Sequence, residues 1–382
     1  MSLHYNVYRI CVSSISQPLL KFHVTSREHS LSTDAADSDM EQIPSDEEVC
    51  VASLADRDSV VAIDDDVYSG LDYLPATYPS LVEGPGVRGY LYKKGGRTIA
   101  FLHTQLVDGG RTLLYGAARV APEYRGSGVF GRFHRLIRSK YFRSPTICYM
   151  TCTVSDITMT TIGQKLLRAN RQVAEKKMAS VELTSFDVSF KVCKTSTRFP
   201  GIRTLSTDDM TSIMSCEDSR LHHLFPERII LDLKPYRLMA ANVPLITNTC
   251  THRVFLATDA KSPPLDTGLL SVPTVLSSGS YFTCSKGTRY ITDVFGEGSE
   301  EELRAHITWH LLRSADVGNG NVVFSIFHTR GLDDFLTDLG KTFPLRKSSL
   351  SYEKLIVLEE EFCQRWNDPV TSSHVNSSHP IV

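Results

Sequence analysis

The sequence contains no CxxC pair, no GxxxxGK[ST] run, no apolar stretch of bilayer length and no strong excess of either charge. Each absence excludes something. The nine cysteines lack the paired spacing of a zinc framework, and Cys148 and Cys152 would share one face of a strand, so they read as reduced core thiols and no metal is expected. Residues 10–20 are too short and too interrupted to span a bilayer, which argues against a membrane partner. With 41 basic and 43 acidic residues the formal charge is −2, whereas a general nucleic-acid binder is basic overall. The missing P-loop removes the common nucleotide triphosphatases.

What remains is a soluble globular composition over 382 residues, long enough for two domains. Residues 1–45 do not read as a folded unit. The first 31 are serine-rich, short of acids and carry Arg9, Lys21 and Arg27, a weak leader-like composition, while residues 32–48 turn acidic and polar in the manner of a solvated linker. The serine-rich end, residues 371–382, reads as a frayed tail. Domains are expected at 46–192 and 198–370, in a cytoplasmic protein of unspecified oligomeric state.

The informative stretch is residues 111–141. A strand-like run ends at Val120, breaks at Pro122, passes through Arg125-Gly126-Ser127-Gly128, and continues as a basic amphipathic segment with Phe133, Leu136 and Ile137 at helical spacing. A helix opening behind a glycine loop aims unpaired N–H groups and the positive end of its dipole at one point, and the glycines let an anion approach the main chain. Arg132, Arg135, Arg138 and Lys140 add positive charge, opposed locally by Glu123 alone. A phosphate is the natural guest. Gly126, Gly128 and Gly131 also satisfy the spacing GxGxxG, but two hairpins precede them, with turns at residues 93–96 and 108–110, where a dinucleotide fold has a buried parallel strand.

An antiparallel meander feeding an anion-binding helix, with Arg119-Val120-Ala121-Pro122 ahead of Arg125-Gly126-Ser127-Gly128-Val129, resembles the GNAT superfamily of acetyl-coenzyme A dependent N-acetyltransferases. The resemblance implies an α+β fold, a mixed sheet flanked by helices, with acetyl-CoA as cosubstrate. It also implies coenzyme contacts from Arg119, Val120, Arg125, Gly126, Ser127, Gly128, Val129, Phe130 and Gly131. The family has Gly or Ala where this chain has Phe130, so the ring is expected to turn outward. By the same resemblance the Val120 amide is the oxyanion donor. The helix at residues 160–169 offers no tyrosine in the place where many superfamily members have their acid, so the proton for the thiolate is expected from Tyr149 or bound water, or is not needed; His103, Gln105 or Tyr115 is expected to order a water that takes the amine proton, with His103 the candidate base.

A second segment is more particular. Tyr68, Gly70, Leu71, Asp72, Tyr73, Leu74, Pro75 and Tyr78 fit the YxGLDYLPxxY run of the vertebrate histidine N-acetyltransferase-like family, a branch of that superfamily. This resemblance implies that Tyr68, Asp72 and Tyr73 contact a small amino-acid or amine acceptor, with Asp72 meeting its ammonium. The implied activity is acetyl transfer to the α-amine of histidine or a similar acceptor; a catalytically silent coenzyme-binding scaffold is the alternative. From residue 253 onward the order strand, glycine turn, helix, strand, helix returns, with Glu300, Glu301 and Glu302 at the helix start. The second domain is therefore expected to be a degenerate repeat of the first, and His222, His223 and His310 are surface or core residues rather than metal ligands.

Overall fold

Glycine pairs and caps set the local structure. The computed structural model describes residues 44–361, apart from 65–66, 143, 184–198, 200, 217–220, 222–223, 226–227, 250, 260–271, 319, 329–332, 344, 349 and 351–352. After strand β1 (Glu47–Val51), Ser53 and Asp56 cap each other's backbone N–H groups and open a short 3-10 turn that continues into α1 (Arg57–Val61). The sequence suggests that this helix continues to Val67; it stops at Val61, and a separate turn at Val67–Gly70 precedes α2 (Leu74–Val82). Three antiparallel strands follow: β2 (Val87–Lys94), β3 (Arg97–Val107) and β4 (Thr112–Val120). Gly95 and Gly96 both take positive φ, 54° and 78°, as a two-residue hairpin of matching twist requires. Then come α3 (Val129–Phe142), β5 (Tyr149–Ser155), α4 (Asp156–Leu166) and β6 (Arg171–Leu183).

The second half runs β7 (Ile202–Thr204), α5 (Thr207–Ser215), β8 (Ile229–Leu231), β9 (Lys234–Tyr236), α6 (Val243–Thr247), β10 (Val254–Asp259), β11 (Pro273–Cys284), β12 (Gly287–Gly296), α7 (Glu300–Val317), β13 (Val322–His328), α8 (Asp333–Thr342), β14 (Leu345–Lys347) and β15 (Lys354–Glu361). Its β10-β11-β12 meander, α7 and the parallel β13 repeat the order of β2-β3-β4, α3 and the parallel β5. From sequence, β11 reads as two strands parted near Gly279. It is one, because Gly279 makes room rather than a turn: a Cβ there would lie 2.3 Å from the Tyr290 hydroxyl and 2.4 Å from His310 Nδ1. His310 is fully buried, bonded to Ser277 (2.9 Å) and Tyr290 (3.0 Å), as a core histidine should be; His222 and His223 lie outside the described residues.

All strands but β8 and β9 join one sheet in the order β1-β2-β3-β4-β5-β15-β6-β13-β12-β11-β10-β7, with β14 also on β6. The two halves therefore interleave. β15, from the end of the second half, lies antiparallel between β5 and β6, and the far end of β6 pairs with β13. Of two closing strands that the sequence suggests, at 177–185 and 186–192, the first starts earlier, at Arg171, and the second lies outside the described residues. Leu355, Ile356, Val357 and Leu358 are buried on both faces, and Glu359, 1% exposed, takes Arg228, Arg237 (3.2 Å) and Arg171 (3.3 Å) as partners. Strand alternation assigns the faces. Leu91 and Phe101 pack with α1 and α2, while Tyr90, Tyr92, Ala100 and Leu102 pack with α3. Val107 and Leu114 join the core of the second half with Leu276 and Phe295. Among the described residues no helix is long and apolar enough to cross a membrane.

Candidate active site

The glycine loop forms as its sequence suggests. A 3-10 turn at Pro122–Tyr124 leads to Gly126 and Gly128 at φ +78° and +82°, a region that L side chains seldom enter, and α3 begins at Val129. Ser127 donates to the Tyr124 carbonyl at 2.6 Å and Arg125 Nε to the Val120 carbonyl at 3.1 Å, closing the loop on the strand end. A Cβ on Gly126 would meet nothing within 4 Å, and one on Gly128 only an Arg132 nitrogen at 3.8 Å. The cradle is open, and the first-turn amides of α3 point into it. Gly131 lies inside the helix rather than in the cradle.

The charge picture differs from the local reading. Glu123 pairs with Arg97 at 2.6 Å, while Arg125 meets Asp64, Arg132 meets Glu47 at 3.5 Å, and Arg138 meets Glu360. Those acids come from other elements and moderate the positive field of α3. Anion affinity here falls chiefly to the loop amides and the helix start.

Beyond the loop the sheet opens. Parallel pairing of β4 with β5 runs only from Thr112–Tyr149 to Leu114–Thr151. A register shift then falls between Phe101 and His103 on β3, with Ala117 on β4 at φ +51°, and from Tyr115 onward β4 and β5 are no longer paired. Ala121 N–H donates to Ile99 O at 2.8 Å, so ladder alternation turns the Val120 N–H off the opposite edge of β4, toward the gap left by β5, although Val120 is not among the residues that line the cavity there. A cavity of about 610 Å³ fills that gap and reaches both faces of the sheet. On the α3 face its wall includes Tyr115, Phe130, Cys152 and Ile162; on the α2 face it includes His103, Gln105, Tyr73 and Lys234.

The second half supplies a wall that the sequence reading missed. Asp232 and Leu233, at φ 46° and 68°, make a glycine-free turn between β8 and β9 that reaches the gap. Thr153 on β5 donates to the Leu233 carbonyl, and Asp232 is held by Arg253, Ser280 and Thr251 (3.3 Å). The segment from Tyr68 also rests on this half: Ser285 donates to Gly70 O at 2.8 Å, Arg289 to Leu71 O at 3.2 Å, and Tyr73 meets the Phe282 ring edge-on at 6.4 Å.

The expected site residues divide. Tyr68, Tyr73, His103, Arg119 and Phe130 line the cavity. Asp72 does not: Arg119 holds both its oxygens at 3.0 Å, and Oδ1 also accepts the Leu74 N–H at 3.0 Å, so the carboxylate is engaged within the protein rather than presented to an ammonium. Arg119 is correspondingly an anchor for that loop. Tyr149 sits at the closed end of the β4–β5 pair under the Arg237 guanidinium, 4.1 Å from its ring centroid, and is absent from the cavity wall. This corrects its expected role as acid. Tyr115 and Cys152 occupy the open end instead, and burial raises both, the thiol to about 11 and the phenol well above its ordinary value, so both keep their protons near neutrality. Phe130 clears the cradle by stacking on His134, with centroids 5.9 Å apart, yet it stays on the cavity wall. His103, 2% exposed, is held near pKa 3 by burial and by the charge of Lys234, and its Nδ1 has no hydrogen-bond partner. Such a ring accepts a hydrogen bond well and holds an extra proton poorly, which weakens the base role expected from sequence.

The equivalent place in the second half is closed. β12 and β13 stay paired from Thr288–Val322 to Asp293–Phe327, without divergence. Gly296 and Gly298 are packed tightly, a Cβ on either lying 2.2 Å from β11, and the first turn of α7 is occupied by the reciprocal Ser299–Glu302 cap. Glu300, Glu301 and Glu302 complete a helix start unsuited to a phosphate.

Residues 198–329 match the family model described as histidine N-acetyltransferase, C-terminal. The histidine N-acetyltransferase of Oreochromis niloticus is 26% identical over 294 residues, covering 72% of this chain and 82% of that protein. The probable N-acetyltransferase 16 of Homo sapiens is 26% identical over 280 residues, covering 69% and 72%. Among solved structures, a GCN5-related N-acetyltransferase from Sphaerobacter thermophilus is similar with a TM-score of 0.48 and 11% identity, covering 84% of this chain and 97% of that one.

Proposed function

We propose, from the kinship of this chain with the histidine N-acetyltransferases, that it transfers an acetyl group from acetyl-CoA to the α-amine of histidine or a closely similar small amino acid. The observation that carries this reading is the divergence of β4 from β5, which opens a cavity through the sheet beside an open glycine cradle. Two reactants can then meet from opposite faces, which converts an encounter between two molecules into a reaction in a fixed geometry.

Acetyl-CoA supplies an activated thioester. The Gly126 and Gly128 loop, with the start of α3, receives the pyrophosphate. The Val120 N–H, turned into the gap, is the donor for the thioester oxygen as charge builds there. On the opposite face, burial and the charge of Lys234 disfavour a cation, as the depressed His103 shows, and so favour the neutral amine that attack requires. A C–N bond forms, the C–S bond breaks, the amine sheds one proton to solvent, and Tyr115 or Cys152 stands ready to hydrogen-bond the departing sulfur. One observation favours the alternative, a coenzyme-binding scaffold without turnover: the Phe130 ring occupies cavity wall where the superfamily pattern has Gly or Ala.

Thiol release from acetyl-CoA, followed against the free amino acids with mass analysis of the product, decides between them. Acetylated histidine, or an acetylated close analogue, is the expected product. Coenzyme binding by calorimetry with no thiol released by any amine would favour the scaffold.

A further inference from the structure

Two acids reach the cavity wall, Glu83 and Asp232. Asp232 is taken up by Arg253, Ser280 and Thr251, and Asp72, outside the wall, by Arg119. Among the described residues no hydrogen bond or ion pair engages the Glu83 carboxylate. It also stands where its charge is locally unfavourable. Glu83 caps the C-terminal end of α2, with its N–H on the Pro79 carbonyl at 2.9 Å, and the last turn of that helix carries no basic residue. The negative end of a helix dipole opposes an anion there and favours a cation. A local choice that costs stability without a local compensation is the kind that function retains. Gly84 and Gly86, at φ +137° and +70°, turn the chain at once toward β2, and Glu83 stays at the exposed rim beside Leu81 and Gly84 of the same wall. A cation arriving at this rim meets the carboxylate together with the last carbonyls of α2, which a helix leaves without intrahelical partners. Deeper in the cavity the setting reverses: burial and the Lys234 charge keep His103 neutral, and its buried Nδ1 has no partner, which suits a neutral polar group.

We infer that Glu83, with the C-terminal end of α2, is the receptor for the ammonium of the incoming acceptor, the role that family resemblance implies for Asp72. The inference rests on the acetyl-transfer reading above and deepens it, since the acceptor it describes is a primary amine that arrives charged. An anion at the mouth of the acceptor side raises the local concentration of such a cation. The ammonium held there sheds its proton to the solvent, and the neutral amine passes on to the gap between β4 and β5. A contact between exposed charges is modest and is screened by salt. Its removal should therefore appear in the Michaelis constant of the acceptor, and most clearly at low ionic strength.

The test measures acetyl transfer from acetyl-CoA to histidine by the full chain in the wild type, Glu83→Gln, Glu83→Lys and Glu83→Asp, at ~20 mM and ~300 mM sodium chloride, where exposed charges are weakly and strongly screened. At low salt Glu83→Gln should raise the Michaelis constant for histidine about fivefold and Glu83→Lys further, with the loss lying chiefly in that constant rather than in kcat, while Glu83→Asp keeps most of the wild-type affinity. At high salt the difference between wild type and Glu83→Gln should shrink to about twofold or less. Coenzyme A affinity by calorimetry checks that each variant is folded. A low-salt Michaelis constant in Glu83→Gln equal to that of the wild type, or a rise that salt does not diminish, would overturn the inference. If no amine releases thiol even in the wild type, the acetyl-transfer reading fails, and calorimetric binding of histidine at low salt still decides this point: weaker binding by Glu83→Gln supports it, and unchanged binding, or none, rejects it.

Discussion

Replacing Glu359 with leucine is expected to lower the stability of the whole chain by about 3–5 kcal/mol, the usual cost of removing one partner from a buried ionic cluster. Glu359 is the acid on which Arg228, Arg237 and Arg171 converge, and Arg228 is itself 7% exposed. With the carboxylate gone, that guanidinium stays buried beside an apolar side chain. Glu359→Gln keeps the shape and one acceptor oxygen, and should lose less. The reason for choosing this residue is topological. β15 is the strand by which the end of the second half completes the sheet of the first, between β5 and β6, so loosening it should loosen both halves together. Urea unfolding followed by two probes, one in each half, checks this. A single shifted transition is predicted, and a loss below about 1 kcal/mol would contradict the arrangement.

Mild acid should destabilise the fold strongly. Burial lowers the pKa of His134, His306 and His328 to about 4 and that of His103 to about 3, and it holds His310 well below its ordinary value. As pH falls through about 6.5 the unfolded chain takes up protons on these rings, whereas the folded chain refuses them until pH 4 or below. Stability is therefore full above about pH 7 and is lost as pH falls from 6.5 toward 4. Each ring costs about 1.4 kcal/mol per pH unit inside that window, or about 2 kcal/mol by pH 5. The melting temperature at pH 5 should lie far below that at pH 7.5. Equal melting temperatures would mean that these rings are solvated in the folded protein.

What the sequence reveals and what it hides follow from distance along the chain. The meander, the glycine loop and its helix are legible because each depends on neighbours: turn glycines, an alternating run, a helical period. The second half is legible as a repeat for the same reason, except where Gly279 serves packing and mimics a turn. β15 is harder to see, since its apolar run passes straight into Glu359, Glu360 and Glu361 and its partners lie about the first half of the chain. Tyr149 shows the limit of strand alternation, which tells the face on which a side chain sits but not where two parallel strands part. Asp72 looks like a substrate acid because Arg119, 47 positions away, gives no local sign of pairing with it. The β8–β9 turn escapes because Asp232-Leu233 contains no glycine, although the charges of Asp232 and Lys234 directly after the apolar run Ile229–Leu231 are a usable signal.

The central claim is that the first half binds an acyl-coenzyme A through the open glycine cradle and the gap beyond it. Titration calorimetry of coenzyme A into the full chain and into Gly128→Val tests it most directly. A β-branched side chain at a residue with φ +82° blocks the close approach of the main chain to a phosphate. Measurable binding to the wild type is expected, with at least a tenfold loss in Gly128→Val, about 1.4 kcal/mol. Unchanged affinity in a folded Gly128→Val protein, or no binding by the wild type, would contradict it.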